Sequence, residues 1–282
     1  MDAKREGKLF ILSVLLVIMS AGVAQSKTWV DEWKQMYLSE EEKQLDSRED
    51  LAVTFTMAGV SEYIWRGFDM LDDRGAFQPS INGDWYGTGI STMVWSAIPV
   101  KEEIGNKHEM RYVVGYTDWL WEDTLHVTQY TVNWVYYDFT ELPSTVRDAQ
   151  EIGVQFSWPR AYMVRDSRFV PSYYVGRLWP AKSKAVNKDS GGWIHILGLD
   201  YEFWLFGAGV EKQIAFLSAE LVYNDGMLGA ENDWSDAVFG IGTTLRDGRW
   251  TVRPEFKYQV SLDDTVNDED EYWGGMSISY QF

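Results

Sequence analysis

Trp250-Thr251-Val252-Arg253-Pro254-Glu255-Phe256-Lys257-Tyr258-Gln259-Val260-Ser261 alternates apolar and polar side chains without a break. Successive side chains of a strand point to opposite faces. Trp250, Val252, Pro254, Phe256, Tyr258 and Val260 therefore share one face, and Thr251, Arg253, Glu255, Lys257, Gln259 and Ser261 the other. The end of the chain repeats the pattern: Tyr272, Gly274, Met276, Ile278, Tyr280 and Phe282 oppose Gly275, Ser277, Ser279 and Gln281. An edge hairpin of a soluble β-sandwich would alternate in the same way, but here the pattern recurs along most of the chain. Strands of about 10 residues, apolar outward and polar inward, are the signature of a transmembrane β-barrel.

The start of the chain points to export. Lys4, Arg5 and Lys8 precede an apolar run from Leu9 to Met19, and Ala24-Gln25-Ser26 supplies small residues for cleavage. This predicts a secretory signal peptide over residues 1-26. The run is shorter than the ~20 residues a helical span needs, and no later stretch reaches that length. A chain of this kind crosses a membrane only as a closed barrel, which satisfies every backbone polar group in lipid. Residues 27-50 differ in kind. They are rich in Glu and Asp, with Trp29, Trp33, Met36 and Tyr37 at helical spacing. An amphipathic helix, a periplasmic tail that plugs the lumen or lies at the inner interface, and a plain linker all fit this segment.

Composition narrows the class. The absence of cysteine excludes disulfides and thiolate metal sites. Aromatic residues make up 16%, with 15 Trp and 16 Tyr, which suits aromatic girdles at the two membrane interfaces. A mean hydropathy of -0.29 fits strands that are half polar. The formal charge of -18 argues against a nucleic-acid partner, and removing the leader makes the chain one unit more negative. The expected partners are outer-membrane lipid and lipopolysaccharide, the barrel-assembly machinery and small solutes. No sequence feature fixes the oligomeric state.

The alternation predicts an all-β chain with the barrel over 51-282. It has about twelve strands, running roughly 51-67, 76-86, 87-98, 107-121, 123-138, 149-158, 168-179, 191-204, 211-224, 235-246, 249-261 and 271-282. Tyr86-Gly87, Trp121-Glu122 and Asp247-Gly248 read as tight turns. Longer polar links alternate with them, as expected for short periplasmic turns and long outer loops. An even count puts both termini in the periplasm. The link over 159-167 is long where a short turn is expected, so ten or fourteen strands also fit. Pro79 and Pro254 fall inside predicted strands, where they remove a ladder hydrogen bond and suggest bulges or strand ends.

Ser61-Glu62-Tyr63-Ile64-Trp65-Arg66-Gly67 followed by Gln78-Pro79-Ser80 resembles the first hairpin of the TorF-type family of porin-like Gram-negative outer-membrane proteins. Tyr136-Tyr137, Glu151 and Ser157-Trp158-Pro159 are similar to the middle of that family. The resemblance covers 51-282. Phe68-Asp69-Met70, where the family tends to carry a small polar residue, and the acidic 27-50 segment depart from it. It implies a porin-like barrel and says little about substrate. Phe282, with Tyr280 and Ile278 in phase, also resembles the C-terminal signal by which outer-membrane barrels are recognised for assembly.

Alternation places Asp84, Glu109, Arg111, Glu151, Glu220, Arg253, Glu255 and Lys257 inward, with Arg66 a further candidate. Arg or Lys facing lipid at mid-membrane costs about 2-4 kcal/mol. These residues could line a pore for small hydrophilic solutes or ions, or pair with one another and fill the interior of a non-conducting structural or adhesion barrel. A twelve-strand barrel lies between the filled eight-strand and the open sixteen-strand case. No catalytic set stands out. His108, His126 and His195 are dispersed, and none lies in a His-x-Ser arrangement. Thr128 follows His126 at same-face spacing, and Glu109 with Glu151 could act as acid and base in a barrel-based hydrolase, the least favoured reading, while lumen ion pairs explain the two carboxylates equally well. The 263-271 loop is acidic but lacks EF-hand spacing, so no metal or cofactor is expected.

Overall fold

The computed structural model describes residues 51–85, 87–101, 108–140, 148–164, 167–182, 190–205 and 213–282. The predicted leader and the 27-50 segment lie outside them. Twelve long antiparallel strands close into one barrel. They are β1 (Leu51–Val60), β4 (Ala76–Trp85), β5 (Ile90–Pro99), β6 (Glu109–Leu120), β7 (Thr128–Phe139), β8 (Ala149–Ser157), β10 (Ser167–Pro180), β11 (Gly192–Trp204), β12 (Ile214–Asp225), β13 (Asn232–Asp247), β14 (Trp250–Ser261) and β15 (Glu271–Gln281). Each pairs with its neighbour in this order, and β15 returns to β1 through seven register pairs from Thr54↔Gln281 to Val60↔Gly275. The amide of Phe282 donates to the Val53 carbonyl at 2.9 Å, so the two ends of the barrel domain meet at one rim. Closure removes the sheet edges that would otherwise expose unpaired backbone groups.

Three short strands complete the set. β2 (Ile64–Trp65) and β3 (Phe68–Asp69) form a small hairpin in the link from β1 to β4. The predicted first strand therefore stops at Val60 instead of 67. β9 (Tyr162–Val164) pairs with Ser167–Phe169 of β10. The long 159-167 link thus carries an extension of the β8–β10 hairpin, which keeps the count at twelve. Trp121-Glu122 is not a two-residue turn. Residues 121–127 form the link, where the Thr124 hydroxyl donates to the Trp121 carbonyl at 2.9 Å and accepts from the His126 amide at 3.1 Å. Neither Pro79 nor Pro254 makes a bulge. The β4–β5 ladder skips from Phe77↔Ile98 to Ser80↔Trp95, and the β13–β14 ladder from Gly242↔Glu255 to Leu245↔Val252, with register unchanged on both sides. Each proline removes its own donor and interrupts the ladder for two residue pairs without shifting it. The one register shift on these ladders lies at Val222/Tyr223.

The two faces of the wall separate as the alternation requires. Val94, Val114, Ile152 and Ile241 form an exposed apolar belt at mid-strand. Trp85, Trp119 and Trp250 flank it near the terminal rim, and Tyr112, Tyr258 and Tyr272 near the opposite rim. This is the surface of a transmembrane barrel, in which an outer apolar band meets lipid. Val94→Arg is expected to lower the unfolding free energy in lipid vesicles by about 2–4 kcal/mol, whereas Ser91→Lys on the inward face should cost under ~1 kcal/mol. Urea titration followed by tryptophan fluorescence checks both.

Two buried apolar clusters lie inside the barrel, in the half away from the termini, and a third, of Leu221, Ala237 and Leu262 with Leu197, Trp234 and Val260, lies on the outward side near the same rim. Tyr137, Leu178, Ile194, Val222 and Met227 pack against Trp65 and Phe68 of the β2–β3 hairpin. Tyr63, Leu71, Ala76 and Ala97 form a second cluster on the other side of that link. The 61–75 segment thus folds inward and supplies much of its own core.

Candidate functional site

The inward segment is fixed by its turn. Trp65 and Phe68 pair across Arg66-Gly67, both of which have positive φ, at 53° and 88°. Left-handed backbone at both central positions is what a tight hairpin requires. Glycine suits the second position for another reason: a Cβ there would lie 2.5 Å from Asp236 Oδ2 and 2.7 Å from Val266 Cγ1. The Gln259 side-chain amide donates to the Gly67 carbonyl at 3.0 Å, tying the hairpin tip to β14.

Arg66 crosses the lumen and grips Glu151 with both guanidinium nitrogens, Nη1 to Oε2 at 2.8 Å and Nη2 to Oε1 at 2.6 Å. The Glu151 side chain is fully buried, and that of Arg66 is 13% exposed. Tyr137 donates to the same carboxylate at 2.7 Å, and Tyr174 also donates to it. Arg66 Nη2 in turn donates to the Tyr174 hydroxyl at 3.1 Å. A buried pair of this kind holds only when its remaining hydrogen-bonding capacity is met, as it is here. Gly176 makes room for it, since a Cβ there would sit 2.6 Å from Glu151 Oε1.

A second pair lies beside the first. Arg111 Nε donates to Glu109 Oε1 at 2.5 Å, Tyr63 donates to Glu109 Oε2 at 3.0 Å, and Arg111 also donates to Tyr63. The Arg111 guanidinium lies over Trp95 at 4.5 Å and over Trp65 and Tyr137 at 5.0 Å each. Arg66 lies over the same Trp65 at 4.8 Å. Trp65 thus sits between two cations, a favourable contact for each that is worth more away from water. The two networks meet at Trp65 and Tyr137 and form one cluster.

The other residues expected in the lumen also face inward, but not in this network. Arg253 and Lys257 share Glu255 at 3.5 and 3.8 Å, and Arg253 lies over Phe216 at 4.3 Å. Asp84 accepts from Asn82 at 3.0 Å, nearer the terminal rim. Glu220 lines a cavity of about 380 Å³ beneath the hairpin, together with Arg66, Arg111, Glu151 and Asp200. On the terminal side of this cavity the inward positions of β1 and β4 to β7 are small and polar, including Thr54, Thr56, Asn82, Ser91, Gly115 and Thr131, whereas Phe216, Arg253 and the Arg168–Glu202 pair face inward from β10, β11, β12 and β14. Phe282, Tyr280 and Ile278 share the outward face of β15 and its end. Tyr280 meets Trp250 at a tilt, with ring centroids 4.7 Å apart, and Phe282 edge-on at 4.9 Å.

The sequence reading did not single out Tyr63, Trp65, Tyr174 or Asp200 for the lumen. Asp200 was legible, because it shares a phase with Ile194, Ile196 and Glu202 opposite Trp193, Leu197, Leu199 and Tyr201. Tyr174 was not, since Tyr173 beside it is equally aromatic. The histidines stay apart. His195 meets Tyr173 at 2.7 Å on the outer face. His108 meets Ser96 at 2.8 Å near the rim, and the Ser96 hydroxyl also donates to the Glu109 carbonyl at 3.0 Å. Glu109 and Glu151 are each held by an arginine, so neither is a free acid or base.

The acidic outer rim brings carboxylate oxygens of Asp69, Asp73 and Glu271 within 4.8 Å of one another. Asp69 accepts from the amides of Leu71 and Asp73 at 2.9 and 2.7 Å, and Glu271 accepts from Asn267 at 2.9 Å. These bonds order the loops. Burial, with Glu271, Asp73 and Asp69 nearby, holds the Glu62 carboxyl above its ordinary range.

No protein-family model matches the sequence, and no curated protein matches it. Among solved structures, the barrel is similar to the NanC porin, at 11% identity over 82% of this chain and 99% of that one, with a TM-score of 0.47. It is similar to LpxR from Salmonella typhimurium at 9% identity over 81% and 99%, with a TM-score of 0.49. It is also similar to an outer membrane channel from Pseudomonas putida F1 at 7% identity over 82% and 94%, with a TM-score of 0.49.

Proposed function

We propose that this chain is a porin-like outer-membrane channel of the TorF type, through which small hydrophilic solutes or ions diffuse past a constriction made by residues 61–75. The observation that carries the reading is the change of lining along the lumen. Small polar side chains of β1 and β4 to β7 line one side of the terminal half and lead to the cavity beneath Trp65 and Arg66. Residues that only filled a structural barrel would have no reason to leave that space polar. Arg66 and Glu151, which the TorF resemblance takes from two distant segments, grip each other beside that cavity. The reading includes export by the 1-26 leader, assembly through the Phe282 end, and an outer wall in lipid and lipopolysaccharide.

One observation favours the alternative of a non-conducting barrel: the hairpin is held by a buried ion pair and a tip contact, and not merely laid across the lumen. Single-channel recording on the refolded mature protein in planar bilayers separates the two. Discrete conductance steps are expected, with ion preference read from the reversal potential in a salt gradient. Silence from folded, heat-modifiable protein would move the assignment to the plugged barrel.

A further inference from the structure

We infer that the cavity beneath the hairpin binds aliphatic cations bearing primary ammonium groups. The inference deepens the channel reading by naming a solute class, and rests on it for its physiological sense. The feature is the cavity and the unequal chemistry of its walls. Its volume of about 380 Å³ admits a small organic molecule.

One wall is closed to anions. Arg66 and Arg111 line it, but Arg66 is taken by Glu151 and Tyr174, and Arg111 by Glu109 and Tyr63. An incoming carboxylate would have to displace a carboxylate already bound in a desolvated pair, leaving that charge without a partner. The opposite wall is different. Asp200 on β11 and Glu220 on β12 face the cavity from adjacent strands. The register sets Asp200 opposite Ser218 and Glu220 opposite Gly198, so only small neighbours separate them. Among the described residues neither carboxylate has a hydrogen bond or an ion pair. Glu202, one step along β11, is held by Arg168 at 2.6 Å, and Arg253 and Lys257 share Glu255 at 3.5 and 3.8 Å, acting on Asp200 only through space and against Glu202 and Glu220. Two like charges facing one space inside a low-dielectric wall concentrate a cation there.

The rest of the lining sets the body of the ligand. Met93, Val113, Val135 and Ile196 offer apolar surface to a methylene chain. An ammonium group at the carboxylates with its stem along these side chains satisfies both parts of the lining. A hydrated inorganic cation would use only the first.

Isothermal titration of the refolded full-length protein in detergent tests this with 1,4-diaminobutane against butanedioate, which has the same chain length and the opposite charge. The diamine is expected to bind, and the dicarboxylate to bind about tenfold more weakly or not at all. Asp200→Asn with Glu220→Gln should lower diamine affinity by about tenfold or more while heat-modifiability is kept. Asp200→Asn alone replaces the double variant if that does not fold, and should lower affinity in the same direction. Absence of diamine binding, equal binding of the two ligands, or unchanged affinity in the folded variant overturns the inference. Bilayer recording keeps the two proposals apart. A conducting protein that does not bind the diamine leaves the channel and removes the site. A silent protein that binds it removes the channel and leaves the site.

Discussion

Arg66→Ala should produce both a wider channel and a weaker barrel. The substitution leaves the Glu151 carboxylate, whose side chain is fully buried, with only the Tyr137 and Tyr174 hydroxyls for support. Removing one member of a buried pair costs about 3–5 kcal/mol, most of it from the charge left behind. Part of that cost can be avoided if the hairpin shifts and water reaches Glu151. The same shift would enlarge the constriction. Single-channel conductance should therefore rise several-fold over the wild type while the urea midpoint falls. Arg66→Lys should be intermediate, because an ammonium keeps the charge but cannot reproduce the two-pronged grip on both carboxylate oxygens. A stable variant with wild-type conductance would mean that the pair is not what sets the opening.

Arg66 also explains where the sequence was readable and where it was not. Period-two alternation locates the barrel strands to within a few residues, because one face must meet lipid and the other must not. It says nothing about which side chains meet across the lumen. Arg66 and Glu151 are 85 residues apart and become neighbours only when the barrel closes. The hairpin tip was hidden for a local reason. Ile64-Trp65 and Phe68-Asp69 are strand-like, so the strand pattern reads on past Val60. The turn that interrupts it carries Arg at the first left-handed position, where Asn or Asp would have announced it. Such backbone costs a non-glycine residue about 1–2 kcal/mol. Here the guanidinium contacts with Glu151 hold the residue in place. The 121–127 link misled the reading in the same way, since Thr124 makes its turn through side-chain bonds that no simple turn dipeptide reports.

Excising the inward segment altogether should have the largest effect on conductance with the smallest effect on closure. Val60 and Ala76 are register partners at the end of the β1–β4 ladder. A two-residue Asn-Gly turn can therefore replace residues 61–75 without changing any barrel pairing. The deletion removes Trp65 and Tyr63 from the lumen and releases Glu151 from Arg66. Glu151 then faces a wide aqueous space, so its charge is solvated and not orphaned, unlike in Arg66→Ala. Arg111 keeps Glu109 and the face of Trp95. The lost packing is confined to the loop half, where Leu178, Ile194, Val222 and Met227 lose their contacts with Trp65 and Phe68. The variant should still fold as a heat-modifiable barrel with strand content unchanged by circular dichroism. Its conductance should exceed that of Arg66→Ala. If the deletion folds and conducts no more than the wild type, the narrowest point lies elsewhere, and the Arg253, Glu255 and Phe216 cluster on the far wall becomes the place to look. If Arg66→Ala opens the lumen as far as the deletion does, the ion pair alone holds the hairpin, and the tip contact between Gln259 and Gly67 contributes little to the barrier.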